Sequence, residues 1–303
     1  MGAWKIFIKS IKILFHNKRL WLFLFLVEFI LALVLINPVR YQFNHMFSHS
    51  LAANEILQGQ GANSIIEFLI HKAETITLQK QILLIAGFFY LGLTIFFNAG
   101  IISCLLGKKD FEGTFFFHSA ARFVGPFFRL FLWSLPFYLL ALILHSLLGK
   151  IFTLISGNSE PLIITLFFLN LIILAVLFLF IKMVFDYTKV TLISENKRKV
   201  ITTNLSTWKF VAQNLSKALR LFYLIIFLGI ILYALYLLLC SPLNIHSWIT
   251  ILLLMACQQL FAFSRKGIKI IYFASLIYLF QNIEEPLLRA WYKDDSYVDK
   301  MMT

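Results

Sequence analysis

The sequence has few charged side chains. Only 14% of its 303 residues are Asp, Glu, Lys or Arg, whereas 60% are hydrophobic, and the mean hydropathy is +0.85. A soluble domain carries about a quarter charged residues and about half apolar ones. Because apolar runs long enough to cross a bilayer recur along the chain, the sequence predicts an integral membrane protein and excludes an ordinary soluble domain.

Cysteines and other signs of a chemical site are also scarce. The three cysteines, Cys104, Cys240 and Cys257, lie far apart in apolar segments. We expect them to pack as small side chains and not to form a disulfide or a metal site. No zinc-ligand spacing, Gly-rich phosphate loop, paired carboxylates or Ser-His-Asp order stands out in the sequence. It therefore predicts no metal and no cofactor, and gives little support to an enzyme.

Acidic residues are outnumbered by basic ones. The sequence has 14 Asp and Glu against 27 Lys and Arg, which gives a formal net charge of +13. Such an excess is also found in proteins that bind nucleic acid. In an apolar chain, however, basic residues set the topology and meet anionic headgroups. The predicted partner is a bilayer with anionic headgroups, with a membrane protein as a further possible partner, and not a nucleic acid.

The apolar runs predict six spans, at about residues 20–36, 82–106, 130–148, 161–181, 221–240 and 247–263. Of the 27 Lys and Arg residues, 23 fall on the side of the N-terminus and four on the other side. Basic residues collect on the cytoplasmic side of spanning helices. The sequence thus predicts a multi-pass protein of a bacterial cytoplasmic membrane with both termini in the cytoplasm.

The predicted fold class is all-α, a polytopic transmembrane helical bundle that forms one membrane domain over residues 1–303. Residues 264–303 are predicted to form a cytoplasmic C-terminal helix and tail. Within them, the apolar piece 270–280 is too short to cross alone, and it either lies at the surface or extends the sixth helix. Each pair of spans follows an amphipathic piece, near residues 3–16, 115–128 and 208–219, which suggests three repeats of a surface helix and a helical hairpin.

The densest basic stretch, residues 182–223, joins the fourth and fifth predicted spans. We expect its side chains to contact lipid headgroups or a partner, and Lys182 and Asp186, four residues apart, to form an ion pair. The candidate residues are Lys182, Asp186, Lys197, Arg198, Lys199, Trp208, Lys209 and Arg220.

Polar side chains inside the predicted spans are the second group of candidates: Glu28, Asn98, Asn170, Gln258 and Gln259. An ionised carboxylate is costly in the middle of a span. Two interpretations of Glu28 are open. It could carry a proton or cation with the amides as its partners, or it could be a neutral acid that hydrogen-bonds an amide and holds two helices together.

Three short stretches give the chain a family resemblance. They are Trp4-Lys5 with Asn17-Lys18-Arg19-Leu20-Trp21, then Phe185-Asp186-Tyr187-Thr188-Lys189 followed by Glu195, and finally Gln258-Gln259 before the last basic cluster. With them the chain resembles a broad group of uncharacterised six-span bacterial membrane proteins, which includes the membrane domain of some glycerophosphodiester phosphodiesterases. The resemblance covers most of the chain and implies a six-span helical domain. Because the soluble catalytic domain is absent, it does not imply phosphodiesterase activity.

Two functions of different classes follow from these patterns. The first is a non-catalytic membrane protein that engages anionic lipid, or organises a membrane complex, at the cytoplasmic leaflet. The alternative is a transporter or permease-like subunit that moves a lipid-like or small solute by means of Glu28. A membrane-embedded enzyme lacks a catalytic constellation.

Overall fold

A computed structural model describes residues 2–47, 73–107, 111–157, 159–241 and 248–283. These ranges form an all-α structure without a β-strand. Eight helices are described: α1 (Ala3–His16), α2 (Lys18–Phe47), α3 (Ala73–Leu106), α4 (Gly113–Ser156), α5 (Glu160–Ser194), α6 (Val200–Gln213), α7 (Leu215–Cys240) and α8 (Trp248–Ile283).

Five of these helices are long and apolar enough to cross a membrane. The candidate spans are Leu84–Leu106 in α3, all of α4, α5 and α7, and Trp248–Asn282 in α8. They overlap five of the six spans that the sequence predicts, so the prediction of a helical membrane protein is supported. The remaining predicted span, residues 20–36, lies in α2, a helix of 30 residues.

The predicted surface pieces do not share one local structure. The first, α1, is a separate helix, because the chain turns at Asn17 before α2 begins. The second, near 115–128, is continuous with the third span in the 44-residue helix α4, which runs through Pro126 and Pro136. The third, near 208–219, is divided between α6 and α7 by a break at Asn214.

The apolar piece 270–280 belongs to the same helix as the sixth span. Arg265, Lys266 and Lys269 interrupt the apolar run, but lysine and arginine are good helix formers and α8 passes through them. The side chains from Ile270 to Phe280 are almost all buried. This piece is therefore part of a packed core and not a surface-lying segment. The predicted tail after residue 283 lies outside the described residues.

The chain divides into two compact units. The first comprises Met1–Ile11, Ile95–Leu224 and Tyr272–Thr303, and the second comprises Lys12–Thr94 and Ile225–Ile271. In the first unit α4, α5 and α6 pack against one another. Its largest fully buried side chains are aromatic: Phe116, Phe123, Phe127, Tyr187 and Phe280.

The second unit is held by a contact between α2 and α8. The indole of Trp21 stacks on Phe263 with 4.1 Å between ring centroids, and its Nε1–H donates to the Phe263 carbonyl at 2.8 Å. A Cβ at Gly267 would lie 3.1 Å from the Trp21 ring. Glycine at this position therefore allows the close approach of the indole to α8.

Candidate functional site

A buried carboxylate lies in the first unit. The Asp186 residue is 4% exposed near the C-terminal end of α5. One of its oxygens accepts from Lys189 Nζ at 2.6 Å, and the other accepts from the Tyr272 hydroxyl at 2.8 Å. Both carboxylate oxygens are therefore engaged, which is what a buried charge requires. The contact with Tyr272 ties α5 to α8.

The ion pair of Asp186 has a different partner from the one predicted. Residues three and four apart both neighbour each other on a helix, so sequence spacing alone does not choose between Lys182 and Lys189. The structure gives the ion pair to Lys189. The exposed Lys182 instead places its Nζ 5.7 Å from the ring centroid of Tyr272, a cation–π contact.

A chain of hydrogen bonds joins α5 to α6. Asn204 Nδ2–H donates to Thr188 Oγ1 at 3.0 Å, and Trp208 Nε1–H donates to Asn204 Oδ1 at 3.2 Å. The Trp208 ring packs with Phe137 and Phe180, at centroid distances of 5.9 and 5.5 Å. Although Trp208 was a predicted headgroup contact, its N–H and its ring are largely occupied within the protein.

The loop between α5 and α6 presents three basic residues. Asn196 has a φ of 48°, a left-handed conformation that asparagine tolerates. Its N–H donates to the Ile193 carbonyl and the Lys197 N–H to the Leu192 carbonyl, which closes α5 with a Schellman motif. After this turn Lys197, Arg198 and Lys199 are all exposed, and Lys197 pairs with Glu195 at 2.6 Å.

Helix α6 has three kinds of surface: a packed face, an exposed apolar stripe and an exposed polar sector. Its buried face includes Thr203, Asn204 and Thr207, whose side chains all take part in hydrogen bonds. Its exposed surface includes Ile201 at 51% and Leu205 at 62%, four residues apart on one stripe. A separate exposed sector carries polar side chains: Thr202, Ser206, Lys209 and Gln213. An apolar stripe thus lies between the packed face and a polar face.

Helix α1 has the same three kinds of surface. Its buried stripe is Ile6, Phe7, Ser10 and Leu14, and Ser10 shares a 3.0 Å hydrogen bond with Ser275. A second stripe, Trp4, Ile8 and Phe15, is exposed. The exposed lysines Lys5, Lys9 and Lys12 form the third. The predicted amphipathic pattern of α1 thus contains two apolar stripes, of which the protein covers one.

The carboxylate of Glu28 is paired within the second unit. Its partner is the ammonium of Lys266 on α8, and the whole Lys266 residue is 8% exposed. Side chains of a helix slope toward its N-terminus, so a lysine in the predicted basic cluster reaches back along α8 to Glu28. The structure therefore gives Glu28 a lysine partner on α8 in place of the predicted amide.

The intramembrane amides have separate environments. Asn170 Nδ2–H donates to the His145 carbonyl at 3.2 Å and joins α5 to α4, while Asn98 is buried in α3. Gln259 is half-buried and Gln258 is exposed on α8. The structure does not show any of them hydrogen-bonded to Glu28 among the described residues. Arg220, at the start of α7, is exposed as a headgroup contact would have to be.

Sequence reasoning missed the partners that complete these contacts. Tyr272 lies 86 residues from Asp186, and Asn204 lies 16 residues from Thr188. The available signal was a polar group in an unexpected place, the tyrosine within the apolar piece 270–280. Asn204 gave no such signal, because α6 carries several other polar side chains. Lys266 was visible only as one of several basic residues after a span.

The site offers no metal centre in the described ranges, since they contain no group of three His, Cys, Asp or Glu that could hold an ion. The site consists instead of buried hydrogen bonds and ion pairs, with exposed apolar and basic side chains on its surface. Comparisons of the chain with protein-family models, with curated proteins and with solved structures found no match.

Proposed function

We propose that this is a non-catalytic membrane protein that engages anionic lipid at the cytoplasmic leaflet through α6 and the basic loop before it. The observation that carries the proposal is the exposed apolar stripe of α6: Ile201 and Leu205 are exposed between the packed face, with its hydrogen-bonded threonine and asparagine side chains, and the polar sector. A helix whose exposed surface met only water would be expected to carry polar side chains at these two positions as well.

The position of α6 in the chain supports this role. It directly follows α5 and directly precedes α7, both of which are candidate spans, so short connections hold it near a membrane surface. There its exposed apolar stripe would meet acyl chains, its polar sector would meet water, and its core-facing side would remain on the protein.

Two contributions of similar size support lipid binding. Fully burying an isoleucine or leucine side chain contributes about 1.5–3 kcal/mol. Each Lys or Arg near an anionic leaflet contributes about 1 kcal/mol. Lys197, Arg198 and Lys199 are exposed beside the stripe, with Lys209 on the polar sector of α6. The apolar stripe sets the depth of the helix, and the basic residues make the interaction selective for anionic headgroups.

The orientation that places α6 at the cytoplasmic leaflet is part of the proposal. It rests on the excess of Lys and Arg on one side of the predicted spans. The predicted span at residues 20–36 in α2, the three-repeat arrangement and the resemblance to phosphodiesterase membrane domains also stay predictions. A protein partner that binds the same surface is the competing interpretation. Native mass spectrometry would detect it as a second protein bound at a fixed stoichiometry.

The test is native mass spectrometry of the protein released with its own lipids. In a variant with Lys197, Arg198 and Lys199 all changed to Glu, the affinity for anionic lipid should fall about tenfold or more. Negative charge at the N-terminus of α6 is compatible with the helix dipole, so the helix should persist. The control is Lys150→Glu, at an exposed basic position near the C-terminal end of α4, away from the basic loop in sequence. It should leave lipid retention unchanged. Unchanged retention of anionic lipid in the triple variant would contradict the proposal.

A transporter that uses Glu28 remains the second candidate function. The observation that bears on it is the ion pair between Glu28 and Lys266. A carrier carboxylate would have to exchange this lysine for its cargo during each cycle. A solute or lipid retained by the wild-type protein and lost from Glu28→Gln would favour transport over the lipid-binding proposal.

A further inference from the structure

The apolar part of α8 is the least covered of the candidate spans. In the most apolar 18-residue stretch of α8 no residue is buried, whereas half of the residues in the corresponding stretch of α3 are buried. Exposed apolar side chains in a spanning helix need no protein partner, because lipid tails cover them as well as another helix would. The exposure of α8 alone therefore does not show whether lipid or protein covers it.

A polar side chain within this exposed stretch does require a hydrogen-bond partner. Gln258 is exposed, and it follows Trp248 by ten residues and precedes Lys266 by eight. At the rise of an α-helix these separations are about 15 and 12 Å, which places the amide deep in the hydrocarbon region. Among the described residues no hydrogen bond to the Gln258 side chain is found. Lipid tails offer a primary amide neither a donor nor an acceptor.

We propose that α8 pairs with α8 of a second copy of this chain and that the two Gln258 side chains hydrogen-bond to each other. A primary amide is both a donor and an acceptor, so it is complementary to itself. Two copies inserted with the same orientation hold the same residue at the same depth. A two-fold axis along the membrane normal therefore brings Gln258 to Gln258 without any shift of either helix.

The residues around Gln258 form a stripe that suits close packing. Ile251, Met255, Gln258 and Ala262 are spaced by four, three and four residues, the spacing of a helix–helix seam. Ile251 and Met255 are exposed, and the small Ala262 lies one turn beyond the amide, where it allows the backbones to approach. The opposite stripe, Ile249, Leu253 and Leu260, is exposed and entirely apolar, as a face toward lipid should be.

The two stripes give a matched cross-linking experiment in the full chain. With Cys104, Cys240 and Cys257 replaced by alanine, single cysteines are introduced at Ile251 or Met255 on the Gln258 stripe, and at Ile249 or Leu253 on the opposite one. After reconstitution in lipid vesicles, oxidation should give disulfide-linked dimers from Ile251→Cys and Met255→Cys. The Ile249→Cys and Leu253→Cys proteins should give no disulfide-linked dimer.

The contribution of the amide is measured separately by single-molecule photobleaching, which counts the copies in each vesicle with the native cysteines in place. Gln258→Leu should lower the association constant of the dimer by about threefold to thirtyfold, the range for one interhelical polar contact in a membrane. Gln259→Leu is the control and should change it little. A wild-type protein that is monomeric in vesicles would overturn the proposal, and so would equal cross-linking from both stripes or an unchanged constant in Gln258→Leu. None of these outcomes depends on lipid binding by α6.

Discussion

At the scale of single residues, two buried tyrosines in the first unit have opposite environments. Tyr272 donates its hydroxyl hydrogen to Asp186 at 2.8 Å. The hydroxyl of Tyr187, a fully buried residue, has no hydrogen-bond partner among the described residues. Its ring contacts Phe210 at a centroid distance of 5.9 Å. A hydrogen bond to a charged group stabilises a structure, whereas an unpaired buried hydroxyl destabilises it.

Substitution of each tyrosine by phenylalanine should therefore move stability in opposite directions. Tyr272→Phe leaves one oxygen of Asp186 without a donor and should destabilise the protein by about 1.5–3 kcal/mol. Tyr187→Phe removes the unpaired hydroxyl and should be neutral or stabilise by about 1 kcal/mol. The apparent melting temperatures of both variants in one detergent measure the difference. Equal losses from the two substitutions would show that Tyr187 has a partner of its own.

The Glu28–Lys266 pair makes a residue-scale prediction in the second unit. Lys266 is buried, whereas the Glu28 side chain is 27% exposed. Removing one member of such a pair leaves an uncompensated charge and should cost less than the ~3–5 kcal/mol of a fully buried pair. Lys266→Met should therefore destabilise the protein, and Glu28→Gln added to it should restore most of the loss. A double-mutant cycle on thermal stability measures the coupling between the two positions. Additive losses would mean that the two charges do not stabilise each other.

At the scale of helices, close packing depends on particular glycines. A Cβ on Gly100 of α3 would lie 2.5 Å from the ring of Phe116, which is fully buried in α4. Overlap of this kind must displace a ring that has no room to move. Gly229 of α7 has nothing within 4 Å of the corresponding position.

Alanine at these two glycines should have effects of opposite sign. Gly100→Ala should destabilise by about 1–3 kcal/mol through overpacking of α3 against α4. Gly229→Ala should be neutral or stabilise by up to about 1 kcal/mol, because glycine is the poorer helix former. Thermal unfolding of both variants measures the contrast. A stable Gly100→Ala protein would mean that α3 and α4 are not in contact there.

The extent of each helix was only partly predictable from the sequence. The apolar runs located the spans in α3, α4, α5, α7 and α8, because burial in lipid requires long uninterrupted apolar stretches. The ends of these helices extend beyond the runs. Lys266 and its neighbours interrupt the hydropathy of α8 without ending the helix, and Gly113–Ser156 continues through two prolines. Hydropathy reports the environment of side chains and not the hydrogen bonds of the backbone.

At the scale of the whole molecule, charged and polar contacts depend on which helices meet. Asp186 was a candidate from its position, but its bond to Tyr272 needed α5 and α8 to be neighbours in space. The same holds for Glu28 and Lys266, which lie on α2 and α8. Spacing rules apply within one helix, so they indicated a neighbour for Asp186 on α5 but could not identify its partner on another helix.

The two compact units also divide the proposed functions. The basic loop, α6 and the Asp186 contacts belong to the first unit, whereas the Glu28–Lys266 pair and Gln258 belong to the second. Lipid engagement by α6 and pairing through α8 are therefore claims about different residues, and each variant described above tests one of them.

The most direct test of the central claim is the depth of α6 in the membrane. Single nitroxide labels at Ile201, Leu205, Thr202 and Ser206, in a cysteine-free protein reconstituted with anionic lipid, report their contact with oxygen in the acyl region and with a nickel complex in water. We expect oxygen contact to dominate at Ile201 and Leu205, and nickel contact at Thr202 and Ser206, since these pairs lie on the exposed apolar and polar sectors. Dominant nickel contact at all four positions would place α6 in water and contradict the lipid-binding account.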